Sequence, residues 1–246
     1  MAPSAHELLR LDSELFGFKV AKLDASKLDA NTLPQYLETL AKKQVRLVFS
    51  KIAVLDNAMM QAARAASGKW MGDVVEMESD LSHIKALDAS KAPGLTLELA
   101  TSIDLFEQQT LSALASRLTI HSHLGLDAKL DQRAVLKMFE TWITNSFNHQ
   151  AADEVLVAKL NAKPVGFISF FDHTNARIEL LVVNKSAEGQ HVASSLLDKV
   201  LAILKARGFS KAQLATQINN AAALRLYVSR GFKEVQRLST FHFWLS

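Results

Sequence analysis

The stretch Arg177–Val183, RIELLVV, is nearly continuous in apolar residues, as expected of a strand covered on both faces. After Asn184 the period changes: Val192, Ala193, Leu196, Leu197, Val200, Leu201 and Leu204 recur at spacings of three and four. That is one apolar face of a long helix, and Gly208 is its natural stop. A strand buried on both sides followed by a one-faced helix points to a sheet with helices packed on it. The neighbouring segments extend the pattern. Residues 95–101, 154–158 and 165–171 read as strands, the last two joined by the turn residues Asn161-Ala162-Lys163-Pro164. Residues 103–118 and 132–147 have helical spacing, the second through Val135, Phe139, Trp142 and Ile143, which read as core. A strand at 212–218, a helix at 221–230 closed by Gly231, and two strands at 233–238 and 241–245 complete the series.

The 246 residues allow one or two domains. In residues 11–81 short apolar runs alternate with helical patterns, which suggests a small α/β unit, and 85–94 (KALDASKAPG) has the composition of a linker. The expected division is 1–94, a small α/β domain, and 95–246, a mixed sheet flanked by helices. No apolar run approaches the ~18 residues of a membrane span. The first fifteen residues carry Glu7, Arg10, Asp12 and Glu14 and lack the apolar core of a secretory signal, so a cytoplasmic location is expected. The absence of cysteine excludes disulfides, thiolate nucleophiles and sulfur-ligated metals. Net charge is +3, from 28 basic and 25 acidic residues without a basic block, which argues against nucleic-acid binding. Glycine is scarce, 9 residues in all, so any phosphate-binding loop must manage with few.

The order of elements, with Asn220-x-x-Ala223-x-x-Leu226-Tyr227-x-x-x-Gly231-Phe232 near its end, resembles the GNAT acetyltransferases. Asp12-Ser13-x-x-Phe16-Gly17-Phe18, Ser116-Arg117 and Val165-Gly166-Phe167-Ile168 are similar to the TDP-fucosamine acetyltransferase group, which carries an extra N-terminal α/β domain. The resemblance implies a GNAT fold after a truncated GNAT-like N-terminal unit. It also implies acetyl transfer from acetyl-CoA to the amine of a nucleotide-linked amino-deoxysugar, without a metal.

Carried onto this sequence, the family's acid for the departing thiolate is Tyr227, whose phenol stays protonated at neutral pH. Glu179 is the carboxylate available as general base. The resemblance places the coenzyme along Leu181, Val182 and Val183, whose backbone would meet the developing oxyanion. The pyrophosphate falls on Glu188, Gly189, Gln190, His191, Val192, Ala193 and Ser194, at the start of the long helix. Asn220 and Ala223 open the helix that carries Tyr227; Asn220 is also a natural N-cap. Arg117, His121 and Thr216 are the expected acceptor contacts, Arg117 through a diphosphate. His121-x-His123 lacks a third ligand nearby, so it reads as a loop lining the acceptor site rather than a metal site.

The pyrophosphate loop departs from the family pattern of basic-Gly-x-Gly-x-Gly/Ala. Glu188 stands where a basic residue is usual and His191 where a glycine is usual, which predicts repulsion of the coenzyme and restricted approach to it. The alternative expectation is therefore a binding or assembly module that has lost catalysis. The aromatic-rich segment 240–245 suits either a homodimer edge or burial within the monomer.

Overall fold

The computed structural model describes residues 5–82, 92–100 and 104–246. Most of the expected linker, 85–91, lies outside the described residues. Ten strands form one sheet in the order β1-β2-β3-β10-β4-β9-β8-β7-β6-β5. In chain order, β1 is His6–Leu8, β2 Lys19–Asp24, β3 Val45–Ala53, β4 Lys69–Asp80 and β5 Leu95–Leu99. Then come β6 Glu154–Leu160, β7 Lys163–Phe171, β8 Arg177–Val183, β9 Lys211–Gln217 and β10 Lys233–Trp244. The helices are α1 Arg10–Phe16, α2 Leu33–Lys42, α3 Asn57–Ala65, α4 Leu105–Ser112, α5 Ala115–Thr119, α6 Gln132–Phe147, α7 Val192–Ala206 and α8 Ala221–Val228.

Several elements follow directly from their residues. Asp131 caps α6 by accepting from the Arg133 N–H, and Asp104 caps α4 by accepting from the Glu107 N–H. Asn161 and Ala162 both adopt positive φ, 49° and 64°, which makes the β6–β7 connection a tight two-residue turn of the kind that matches strand twist. On α7, Leu196, Leu197, Leu201 and Leu204 are 0% exposed, and each such burial contributes roughly 1.5–3 kcal/mol. They pack on Ile168 and Phe170 of β7, while the other face of β7, through Phe167, packs under α6. The sheet is thus sandwiched between α7 on one side and α4, α5 and α6 on the other.

Phe16 ends α1, Gly17 closes it in the left-handed region at φ 73°, and Phe18 leads into β2. Two expectations are corrected. The helix expected over 103–118 is two, α4 and α5. The two closing strands are one, β10, whose register against β4 is irregular at Glu234/Gln236 and Ser239/Phe241.

The placement of β10 matters most. It pairs antiparallel with β3 on one side and with β4 on the other, so the segment 233–244 completes the sheet of residues 5–82. A cut at residue 94 therefore crosses a continuous sheet. Both edges of β10 are occupied within the chain, and Phe241 and Phe243 are 0% and 1% exposed. Burial in the monomer, not an edge for a second copy, explains the aromatic run.

Candidate active site

β8 and β9 run parallel but pair only at Arg177↔Gln213. Beyond that point they separate, and the cause is local. In the ladder with β7, Phe170 opposes Ile178 while Ser169 opposes Leu180, so Glu179 is an extra residue without a partner on β7. Such a bulge bends its strand and inverts the facing of the residues after it. Side-chain packing shows the inversion: Ile178 belongs to the core under α7, whereas Leu180 and Val182 belong to the core under α6. Without the bulge these three would share a face.

After the bulge, the Leu180 N–H donates to Ser169 Oγ and the Asn184 N–H donates to the Val165 carbonyl, both on β7. Successive backbone groups alternate in direction, so the N–H groups of Leu181 and Val183 point away from β7, into the gap left by β9. A cavity of about 1860 Å³ occupies this gap. It exceeds the ~300–1,000 Å³ usual for one small ligand, leaving room for two co-substrates.

The cavity gathers nearly every residue expected from the sequence. Leu181, Val182 and Val183 line it from β8, with Glu179 beside them. Glu188, Gly189, His191, Val192, Ala193 and Ser194 line it from the loop entering α7. Thr216 lines it from β9, Asn220, Ala223 and Tyr227 from the α8 region, and Arg117 and His121 from the opposite wall. Gln190 stands outside, its side-chain amide donating to the Ser186 carbonyl.

At the entry to α7, Gly189 and His191 both take left-handed backbone, φ 75° and 60°. The glycine-like path thus survives the substitution of His191, at a cost of about 1 kcal/mol for a residue with a Cβ. His191 makes no side-chain cap, and its carbonyl already accepts from the Ser195 N–H. The N–H groups of Val192, Ala193 and Ser194 precede the helical ladder and are the donors a helix N-terminus offers an anion. Glu188 is not the bare charge its position suggested, because its carboxylate pairs with the guanidinium of Arg117. The pair ties α5 to the loop and offsets the negative charge beside it.

On α8, Asn220 caps the helix by accepting from the Ala223 N–H at 3.1 Å. Tyr227 is 7% exposed and packs against Phe232, ring centroids 5.9 Å apart. Burial pushes its phenol up to about 12, so it is protonated throughout the physiological range. On the acceptor side, burial raises the Glu179 carboxyl above its ordinary value against the pull of Arg177 and Lys51. Arg177 Nη2 lies 2.9 Å from Glu179 Oε2. Burial lowers Lys51 of β3, with Lys22 adding to the effect and Glu76 and Glu179 opposing it. Lys51 and Glu179 line the same cavity although β10, β4 and β9 separate their strands in the sheet.

One arrangement had no sequence signature. His123 Nδ1 is 2.7 Å from His242 Nε2, and His242 Nδ1 is 2.7 Å from Asp127 Oδ2, which also accepts from Trp244 Nε1 at 2.9 Å. The His-x-His spacing exposed one member, but its partner lies 119 positions away. Among the described residues, the one grouping with metal-like geometry is Asp153, Asp172 and His173, none of which lines the cavity. No helix among the described residues is long and apolar enough to cross a membrane.

Residues 121–232 match the family model described as the acetyltransferase (GNAT) family. N-alpha-acetyltransferase 30 of Schizosaccharomyces pombe is 27% identical over 128 residues, 50% of this chain and 85% of that protein. Among solved structures, a GCN5-related N-acetyltransferase from Sphaerobacter thermophilus superposes with a TM-score of 0.64 at 14% identity, covering 96% of this chain and 75% of that one. A tandem GNAT protein from the clavulanic acid biosynthesis pathway gives 0.61 at 14% identity, with 91% and 74% covered. The fold is the GNAT fold, and the part of the chain that matches the acetyltransferase (GNAT) family model, residues 121–232, holds the bulged strand, the loop entering α7 and the Tyr227 helix.

Proposed function

We propose that the protein moves the acetyl group of acetyl-CoA to the primary amine of a small polar acceptor, a nucleotide-linked amino-deoxysugar. The observation that carries this reading is the second wall of the cavity. Asp12, Phe49, Lys51, Val74 and Glu76, all from the first eighty residues, line the side opposite the coenzyme strand. That wall gives the acceptor end a side built from the first eighty residues. Its one aromatic residue, Phe49, suits a base or a sugar ring, and Lys51, with Arg177 of β8, suits a diphosphate. In this reading residues 1–94 are a truncated GNAT-like unit serving the catalytic residues 95–246, an idea supported by the likeness to a tandem GNAT protein.

The roles follow from the geometry. The first-turn N–H groups of α7 hold the coenzyme pyrophosphate, and the Leu181 and Val183 N–H groups receive the thioester oxygen as it becomes an oxyanion. Tyr227 faces the departing sulfur. Full proton transfer from a phenol near 12 to a thiolate whose acid titrates near 8.5 is uphill by about 5 kcal/mol, so the phenol acts by hydrogen bonding the sulfur as charge grows. Glu179 stands at the acceptor end, its carboxyl paired with Arg177.

A second reading, a polypeptide α-amine as acceptor, is favoured by the similarity to a protein named as an N-alpha-acetyltransferase. Coenzyme release from acetyl-CoA, measured with TDP-4-amino-4,6-dideoxyhexoses and with short peptides bearing a free N-terminus, separates the two. Turnover of the sugar nucleotides alone supports the first; turnover of peptides alone overturns it.

A further inference from the structure

Asp127, His242 and His123 form a chain of short hydrogen bonds that begins in the protein interior and ends in the cavity. Asp127 and His242 are both 0% exposed, whereas His123 is half-buried and lines the cavity. The hydrogen bonds dictate where the protons sit. An ionised Asp127 Oδ2 has only acceptor capacity and faces two donors, His242 Nδ1–H and Trp244 Nε1–H. His242 Nε2 is therefore bare and accepts from His123 Nδ1–H. His123 Nε2 is then bare as well, the one nitrogen of the chain free of these bonds.

We propose that His123 is the general base of the acetyl transfer, taking the proton that the acceptor nitrogen loses as it bonds to the thioester carbon, with His242 and Asp127 as the positioning residues behind it. The proposal rests on the acetyltransferase reading and assigns the proton step within it. As the C–N bond forms, the nitrogen's N–H bond breaks and its proton goes to His123 Nε2. The Nδ1 proton of His123 passes to His242 Nε2, and the resulting positive charge rests beside the Asp127 carboxylate, while the C–S bond breaks and the electron pair leaves with the coenzyme sulfur. A neutral imidazole becomes a cation only where an anion is already fixed, which is the use the buried Asp127 has here.

The surroundings agree. Burial, then His242 and Lys51, push His123 down to about 3, with Asp127 opposing, so the resting ring is neutral and its basicity depends on the proton passing on to His242 beside the Asp127 carboxylate. Burial alone would raise Asp127, but its bonds from His242, Trp244 and the Lys129 N–H outweigh that and keep it ionised. The groups facing the pair are Lys51 from β3, Lys69 from the start of β4 and Asp127 from the loop before α6. Phe49 packs against both rings, with centroids 5.0 and 5.8 Å away, and fixes their planes. Glu179, the carboxylate favoured by sequence, is instead pinned by Arg177.

The test has two arms on the full chain. In imidazole-15N-labelled protein, two-bond proton–nitrogen spectra at pH 7.5 should show His123 and His242 each protonated at Nδ1 with Nε2 bare; a protonated Nε2 on His123 overturns the proposal. In the second arm, His123→Gln should lower kcat by roughly 10²–10³-fold with KM nearly unchanged, while calorimetry finds acetyl-CoA affinity unchanged. Asp127→Asn should lower kcat with little change in KM. A His123→Gln enzyme that binds acetyl-CoA and turns over within threefold of wild type (a difference under about 1 kcal/mol) overturns the assignment. If the wild-type protein acetylates neither sugar nucleotides nor peptides, the acceptor reading fails and the spectra alone decide the base.

Discussion

Tyr227 and His123 both line the cavity, and burial affects them in opposite senses. The phenol is kept in its proton-bearing form, the imidazole in its proton-free form. Tyr227→Phe removes the hydrogen bond to the sulfur but keeps the packing against Phe232. It should reduce kcat by about 10²-fold or more with acetyl-CoA affinity unchanged in calorimetry. Equal loss of both would assign Tyr227 to packing. The histidines also carry a stability signature. Their folded-state pKa values lie below the unfolded value near 6.5, so the unfolded chain binds more protons as pH falls from that point. Stability is full above about 6.5 and declines below it, by at most about 1.4 kcal/mol per pH unit for each ring. Scanning calorimetry should find a lower melting temperature at pH 5 than at pH 7, and His123→Gln should flatten that slope.

At the scale of the element, the loop entering α7 shows why sequence alone misjudged it. Glu188 looked repulsive because its neighbours in the chain say nothing of Arg117, whose guanidinium arrives from 71 positions away. His191 looked obstructive because a glycine was expected, yet the backbone takes the left-handed turn regardless. His191→Gly should therefore relieve strain without reshaping the loop, raising stability by about 0.5–1 kcal/mol and the melting temperature by about 2–3 °C, with acetyl-CoA affinity unchanged. Periodicity served better for α6, α7 and β8, where an apolar stripe or run coincides with the element almost residue for residue. The bulge at Glu179 was not legible, since a two-faced apolar strand reads the same in either register. The His123–His242–Asp127 chain was half legible, because a His-x-His spacing carries no information about a buried partner on the last strand.

For the whole molecule, the decisive feature is β10, seated between β3 and β4. Sequence texture divided the chain at 94, where composition changes, because strand pairing across more than 150 positions leaves no local pattern. Urea unfolding of the full chain should be one cooperative transition, identical by far-UV dichroism and by tryptophan fluorescence. Two separated transitions would mean that the halves stabilise themselves independently. The same strand sets a timetable for synthesis. Residues 233–244 leave the ribosome about 150 residues after β4, which at roughly 5–20 residues per second is on the order of 8–30 s. Throughout that interval β3 and β4 are made but lack the strand that joins them, and their open edges are exposed to other chains. Nascent protein should accordingly be most dependent on chaperones, and most prone to misassembly, before residues 233–244 emerge.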